Sequence, residues 1–177
     1  MIIDLFLLAY TILLGMITLW AAYSSYLVFK CGVPPVPTNR KITGTMIQSA
    51  GLMKGQQVYD LGCGFGDILL RAATQYPENN YQGFDINKPV IWVAKMRNYL
   101  SKKNIFFRPE NFFDQDLSGA DIIFCYLWPS IMHQIENDIW PQLKPGTKII
   151  SHAFPLPKMP ATETLLVGRH RVFVYTK

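Results

Sequence analysis

Val58-Tyr59-Asp60-Leu61-Gly62-Cys63-Gly64-Phe65-Gly66-Asp67-Ile68-Leu69-Leu70 reads as a short buried strand, a glycine turn and the start of a helix. Gly62, Gly64 and Gly66 remove three side chains where a chain must turn sharply and let a ligand touch backbone. The helix beginning near Gly66 points its unpaired N–H groups at the same spot. Dinucleotide sites and S-adenosylmethionine (SAM) sites share this arrangement, so the glycines alone do not separate them. Asp60 does. A carboxylate on the strand before the first glycine repels a pyrophosphate but suits the ammonium of a bound methionine moiety. The stretch points to SAM ahead of NAD, with a ligand-free glycine turn as the plain alternative.

Outward toward the C-terminus, strands and helices alternate. The helix from Ile68 runs to about Tyr76 and stops at Pro77; Tyr81 to Ile86 is a second strand. Asp85 then falls about twenty residues beyond the glycine turn, at the carboxyl end of the neighbouring strand, where it can accept both ribose hydroxyls. Its plain alternative is a turn residue before Asn87. Pro89 to about Ser101 reads as a helix with proline in its first turn. Ile105–Arg108 is a third strand leading to Asn111 and Phe112, where such folds hold adenine: an amide for the amino group and a ring to stack. Aromatic residues make up 14% of the chain, so either neighbouring Phe can equally be core. Ala120–Tyr126 reads as a fourth buried strand by its continuous apolar run from Ile122. A helix over 131–143, a fifth strand 148–154 and a closing pair at 164–167 and 171–176 complete an α/β sheet with an antiparallel C-terminal edge.

Outward toward the N-terminus, no charged residue lies between Leu5 and Phe29. Twenty-five helical residues span roughly 37 Å, more than the roughly 30 Å hydrocarbon core. Trp20, Tyr23 and Tyr26 gather near one end, as an interfacial belt does. A cleaved signal peptide is the rival, but it wants a basic start, and this chain begins Met-Ile-Ile-Asp. Asp4 precedes the apolar stretch while Lys30, Arg40 and Lys41 follow it, which orients the rest of the chain toward the cytoplasm. The expected organisation is a transmembrane anchor over 1–30, a proline-rich linker over 31–39 and one catalytic domain over 40–177. Thr38 can cap the helix that starts near Arg40.

The net charge is +5, and all 17 basic residues lie from Lys30 onward. That excess suits an anionic membrane surface or an acidic partner. No Lys/Arg run exceeds two residues, too diffuse for a specific nucleic-acid partner. Cys31, Cys63 and Cys125 are widely spaced with no Cys-x-x-Cys, which argues against a disulfide framework or zinc site and for a reducing compartment.

Asp-Leu-Gly-x-Gly-x-Gly, then Gly-Phe-Asp-Ile-Asn, then Tyr-Leu-x-Pro, then Leu-Lys-Pro-Gly-Thr-Lys-Ile-Ile-Ser-His-x-Phe together resemble class I, seven-β-strand, SAM-dependent methyltransferases. Within that class the chain is similar to small membrane-anchored protein-lysine methyltransferases, whose members act on ATP synthase subunit c and the adenine nucleotide translocase. The likeness runs from about Val36 to Leu156. It implies a Rossmann-like sheet, SAM as cofactor, and Thr38 reaching the methionine end of SAM from a pre-loop. Phe65 stands where an acidic residue is common, and Asn111 where Asp is usual.

Methyl transfer from a sulfonium is an in-line displacement that needs alignment, desolvation and a free lone pair, with no metal and no covalent enzyme intermediate. Tyr126 and Trp128 follow the fourth strand, where an acceptor enters, and can wall in an amine; ordinary strand-end packing is the competing account. His152 closes the fifth strand near the cleft, a candidate proton acceptor or substrate contact. The expected function is a membrane-anchored methyltransferase acting on lysine in a membrane protein. The alternatives are a small-molecule or lipid methyltransferase and a non-catalytic SAM-binding protein.

Overall fold

A computed structural model of the chain describes residues 2–31 and 39–177. Thr38 and most of the proline-rich linker lie outside the described residues. The chain divides into two units, Met1–Pro34 and Pro35–Lys177.

The described residues of the first unit form one helix, α1 (Ile2–Cys31). Within it, Asp4–Tyr26 is long and apolar enough to cross a membrane, by length and composition. Leu5, Phe6 and Leu19 stand exposed on it. The hydroxyls of Thr11 and Thr18 donate back to the carbonyls of Leu8 and Gly15, at 2.8 and 2.9 Å. Such back-bonding satisfies a polar group without water.

The second unit is a seven-stranded sheet in the order β3-β2-β1-β4-β5-β7-β6. Its strands are β1 (Gln57–Leu61), β2 (Asn80–Phe84), β3 (Ile105–Arg108), β4 (Ile122–Cys125), β5 (Lys148–His152), β6 (Glu163–Val167) and β7 (His170–Thr176). The first five are parallel, and β7 runs antiparallel between β5 and β6. This is the α/β arrangement that the alternating pattern predicts.

Side-chain alternation assigns the two sheet faces. Val58, Tyr81, Ile105, Phe107, Phe124 and Ile150 share a core with three helices: α2 (Arg40–Ala50), α3 (Asp67–Gln75) and α4 (Lys88–Ser101). Those helices bring Ile42, Met46, Ile47, Leu69, Ile91 and Ala94 to that face. Each large apolar side chain so buried contributes roughly 1.5–3 kcal/mol. The same alternation continues to the carboxyl ends of the strands and puts Asp60, Tyr126 and His152 on this face.

Two local expectations are corrected. Asn39, not Thr38, caps α2: its Oδ1 accepts from the Lys41 N–H at 2.9 Å, and its carbonyl accepts from Thr43. The helix expected over 131–143 is a short α5 (Pro129–Gln134), a π-turn (Ile135–Ile139) and a 3-10 turn (Trp140–Gln142). Pro141 has no N–H to offer and its ring crowds the carbonyl four residues back, so regular α-helix cannot run through it.

Candidate active site

β1 delivers Asp60 to the glycine turn, and burial pushes its carboxyl up to about 8, helped by the negative charges of Asp85 and then Asp67. Among the described residues no hydrogen bond reaches the Asp60 carboxylate. A buried carboxyl held this way ionises readily only when a cation arrives.

The three glycines of the turn are glycine for different reasons. A Cβ on Gly62 would stand 2.7 Å from Leu127 Cδ2, and one on Gly66 would stand 2.5 Å from Phe107 Cζ. Both positions are therefore accounted for by internal packing. A Cβ on Gly64 would meet nothing within 4 Å, and its φ is +52°. Beside that open space, the Gly64 N–H donates to Asp85 Oδ2 at 3.0 Å, and the Asn87 N–H donates to Asp85 Oδ1 at 2.9 Å. Burial raises the Asp85 carboxyl while these two donors lower it. Asp85, one residue past β2, is thereby held rigidly against the turn.

Arg97 on α4 has no forewarning in the sequence. Its guanidinium donates to the Phe65 carbonyl at 2.7 Å and pairs with Asp67 at 2.8 Å. The tip of the glycine turn and the first residue of α3 are pinned by one side chain.

Asn111 is exposed, and its Oδ1 accepts from the Phe113 N–H at 3.2 Å, capping a 3-10 turn over Phe112–Asp114. That leaves its Nδ2 hydrogens free to donate, the opposite polarity from an acceptor for the adenine amino group. Phe112 is buried with its ring centroid 4.5 Å from that of Phe113, which is only partly buried.

At the ends of β4 and β5 an aromatic and imidazole cluster forms. The rings of Tyr126 and His152 lie 4.1 Å apart, and Trp128 stacks on Phe154 at 6.3 Å with planes 18° apart. His152 is buried; its Nε2 sits 3.3 Å from His170 Nδ1, and its Nδ1 has no partner. Burial and then the neighbouring His170 push its pKa down to about 4, so it is neutral at pH 7. His170 and Phe154 join the site without having been singled out by the sequence. The antiparallel register pairs His152 with Val172, which leaves His170 as its diagonal same-face neighbour. Phe154 arrives through a tight turn: Ala153 has φ +67°, and the Phe154 N–H donates to the His152 carbonyl at 2.9 Å. A non-glycine residue in that conformation is strained, and such strain clusters at functional sites.

The partnerless carboxylate of Asp60, the open space at Gly64 and the fixed carboxylate of Asp85 fit a ligand with a cationic methionine end and a ribose. The fold and site define a SAM-dependent methyltransferase. Residues 60–163 match the family described as the ANTKMT methyltransferase domain, and the chain belongs to that family. It is similar to a protein-lysine N-methyltransferase of Saccharolobus islandicus, 30% identical over 81% of this chain and 92% of the relative. It is also similar to the adenine nucleotide translocase lysine N-methyltransferase of Mus musculus, 24% identical over 70% of this chain and 56% of that one. Among solved structures, an RNA methyltransferase from Salinibacter ruber in complex with S-adenosyl-L-homocysteine superposes with a TM-score of 0.76. It is 27% identical, with 80% of this chain and 93% of that chain covered. SAM is accordingly the cofactor.

Proposed function

We propose that this chain is a membrane-anchored protein-lysine methyltransferase whose acceptor lies in a membrane protein. The observation that carries the reading is the buried, partnerless Nδ1 of His152, on the same sheet face as Asp60 and flanked by Tyr126. The Saccharolobus and mouse relatives are named for lysine methylation, the mouse one on the adenine nucleotide translocase. The exposed apolar α1 supports the anchor, with its basic flank and the catalytic domain on the cytoplasmic side.

Asp60 holds the methionine ammonium, Asp85 the ribose hydroxyls, and the bare backbone of Gly64 admits the ligand. Gly62 and Gly66 keep the turn tight. Phe112 and Asn111 border the adenine, Asn111 as a donor through Nδ2, and Thr38 closes over the methionine end. When bound, SAM supplies a methyl carbon on a sulfonium, which an amine lone pair takes as the C–S bond breaks and leaves a neutral thioether. The acceptor lysine arrives as an ammonium with a reference pKa of about 10.4, and desolvation between Tyr126 and Trp128 lowers it. Its proton leaves to solvent: with a pKa near 4, His152 is a poor proton sink. His152 serves instead as a neutral hydrogen-bond acceptor that aims the amine, an orientation effect rather than base catalysis. Arginine, which stays charged, is a poorer acceptor in such a pocket.

The test is labelled SAM and enzyme added to membranes that lack this protein, followed by mass spectrometry of the labelled species. Lysine methylation on a membrane protein is expected, with His152→Ala lowering transfer and leaving SAM affinity unchanged. Label confined to lipid or a soluble metabolite would instead establish the small-molecule reading. Label on RNA would refute both.

A further inference from the structure

The sheet-remote side of α4 is exposed and apolar. Val90, Ile91 and Ala94 face the core, while Trp92, Met96 and Tyr99, spaced four and three residues apart, face away with Leu100 at their flank. Their exposures are 64%, 43%, 80% and 72%. Four large apolar side chains together on one helix surface are more than the scattered singles usual on a soluble protein.

Along the helix and the strand that follows it, the chain's own charges have one sign. From Lys88 to Arg108 the chain carries six basic residues and no acidic one. Arg97 is committed to Asp67, and Arg108 stands 3.9 Å from Glu110. Lys88, Lys95 and Lys102 are exposed and make no ion pair among the described residues. Lys88 and Lys95 share the face of Trp92 and Tyr99, and Lys102 follows the helix end.

From this combination we infer that the outer face of α4 is a second membrane contact, lying in the headgroup layer of an anionic bilayer. Trp and Tyr favour the boundary between headgroups and acyl chains, Met and Leu gain from burial there, and lysines reach anionic lipid. A nucleic-acid surface would use the aromatic rings and cations but has no use for Met96 and Leu100. The inference rests on the anchored reading in one respect: a chain already tethered to a bilayer needs only a weak contact to lie down on it. What it adds is a fixed set of residues for that contact.

The experiment uses the full chain in detergent micelles, in phosphatidylcholine vesicles, and in vesicles that also contain phosphatidylserine. A water-soluble amine-acylating reagent is applied at low conversion, and labelling is read by mass spectrometry. Each lysine near an anionic surface is worth roughly a fivefold preference. The expected result is therefore several-fold slower labelling of Lys88, Lys95 and Lys102 in the anionic vesicles alone, with Lys144 and Lys158 unchanged. Trp92→Glu combined with Tyr99→Glu should abolish that protection while melting temperature and SAM affinity stay as in the parent. Equal labelling in all three settings overturns the inference. So does protection already present in micelles and rising with protein concentration, since a second copy then covers the face. Alkaline carbonate separates this inference from the anchor: a chain that resists extraction but labels alike everywhere refutes only the α4 contact. A chain that is extracted yet protected refutes only the span.

Discussion

Asp60, proposed to hold the cationic end of SAM, is where protonation and ligand binding should meet. Its carboxyl, raised to about 8 by burial, keeps a proton in the folded protein that the unfolded chain gives up from about pH 4. The ligand-free protein therefore loses stability as pH rises through that window, because the folded state binds the extra proton. Binding a cation reverses the preference and releases the proton. SAM affinity should rise with pH by up to about tenfold per unit until near pH 8, then level off. Calorimetry across buffers of different ionisation enthalpy should find close to one proton released per SAM bound at pH 6 to 7. Asp60→Asn should flatten the profile, weaken binding and remove the loss of apo stability at high pH. A parent protein whose affinity is flat across that range would exclude Asp60 from the cation site. Much of this site is readable without a structure, because Asp60, Gly64 and Asp85 sit at fixed offsets from one strand–turn–helix unit. The His152–His170 contact is not: it exists only once β5 and β7 pair in one register, eighteen residues apart. Nor is Arg97, whose partners Phe65 and Asp67 lie some thirty residues earlier on another element.

At the scale of elements, the legible parts are those where periodicity and punctuation agree. α2 ends where Gly51 takes φ +61°, and α3 ends at Gln75, with Tyr76 as its cap before Pro77. α2 begins less legibly, because Thr38 and Asn39 are both cap formers side by side, and only geometry separates them. Asn39→Ala should therefore cost about 1 kcal/mol, the usual loss for a removed N-cap. Thr38→Ala should leave stability unchanged and act, through the proposed pre-loop, on SAM affinity alone. Chemical denaturation of the two variants distinguishes these outcomes; equal destabilisation would return the cap to Thr38. The π-turn before Pro141 is illegible for a related reason. The apolar spacing of Ile131, Ile135 and Ile139 is fully helical, and it does not report how the backbone accommodates a proline two residues later.

At the scale of the molecule, the sheet, its helices and every described site residue belong to the unit Pro35–Lys177, whose buried core draws on no residue of α1. A chain beginning at residue 35 should therefore fold and bind SAM with unchanged affinity. What it should lose is access. Tethering a catalytic unit to the surface that carries its acceptor replaces a bimolecular encounter by an intramolecular one, a gain on the order of 10²–10⁴ in effective affinity. The chemistry proposed at Asp60, Tyr126 and His152 is untouched by that gain, so it should fall on KM and leave kcat alone. Initial rates would be compared on a soluble peptide bearing the acceptor lysine and on the same acceptor reconstituted in vesicles. The shortened chain should match the full chain on the peptide and show a KM raised by about a hundredfold or more on the vesicles. The basic, aromatic face of α4 sets the expected size of the residue: adding phosphatidylserine should recover part of the lost KM, and salt should take that part away again. A shortened chain with an unchanged KM on vesicles would show that α1 contributes nothing to reaching the acceptor, and the anchored reading would fall with it.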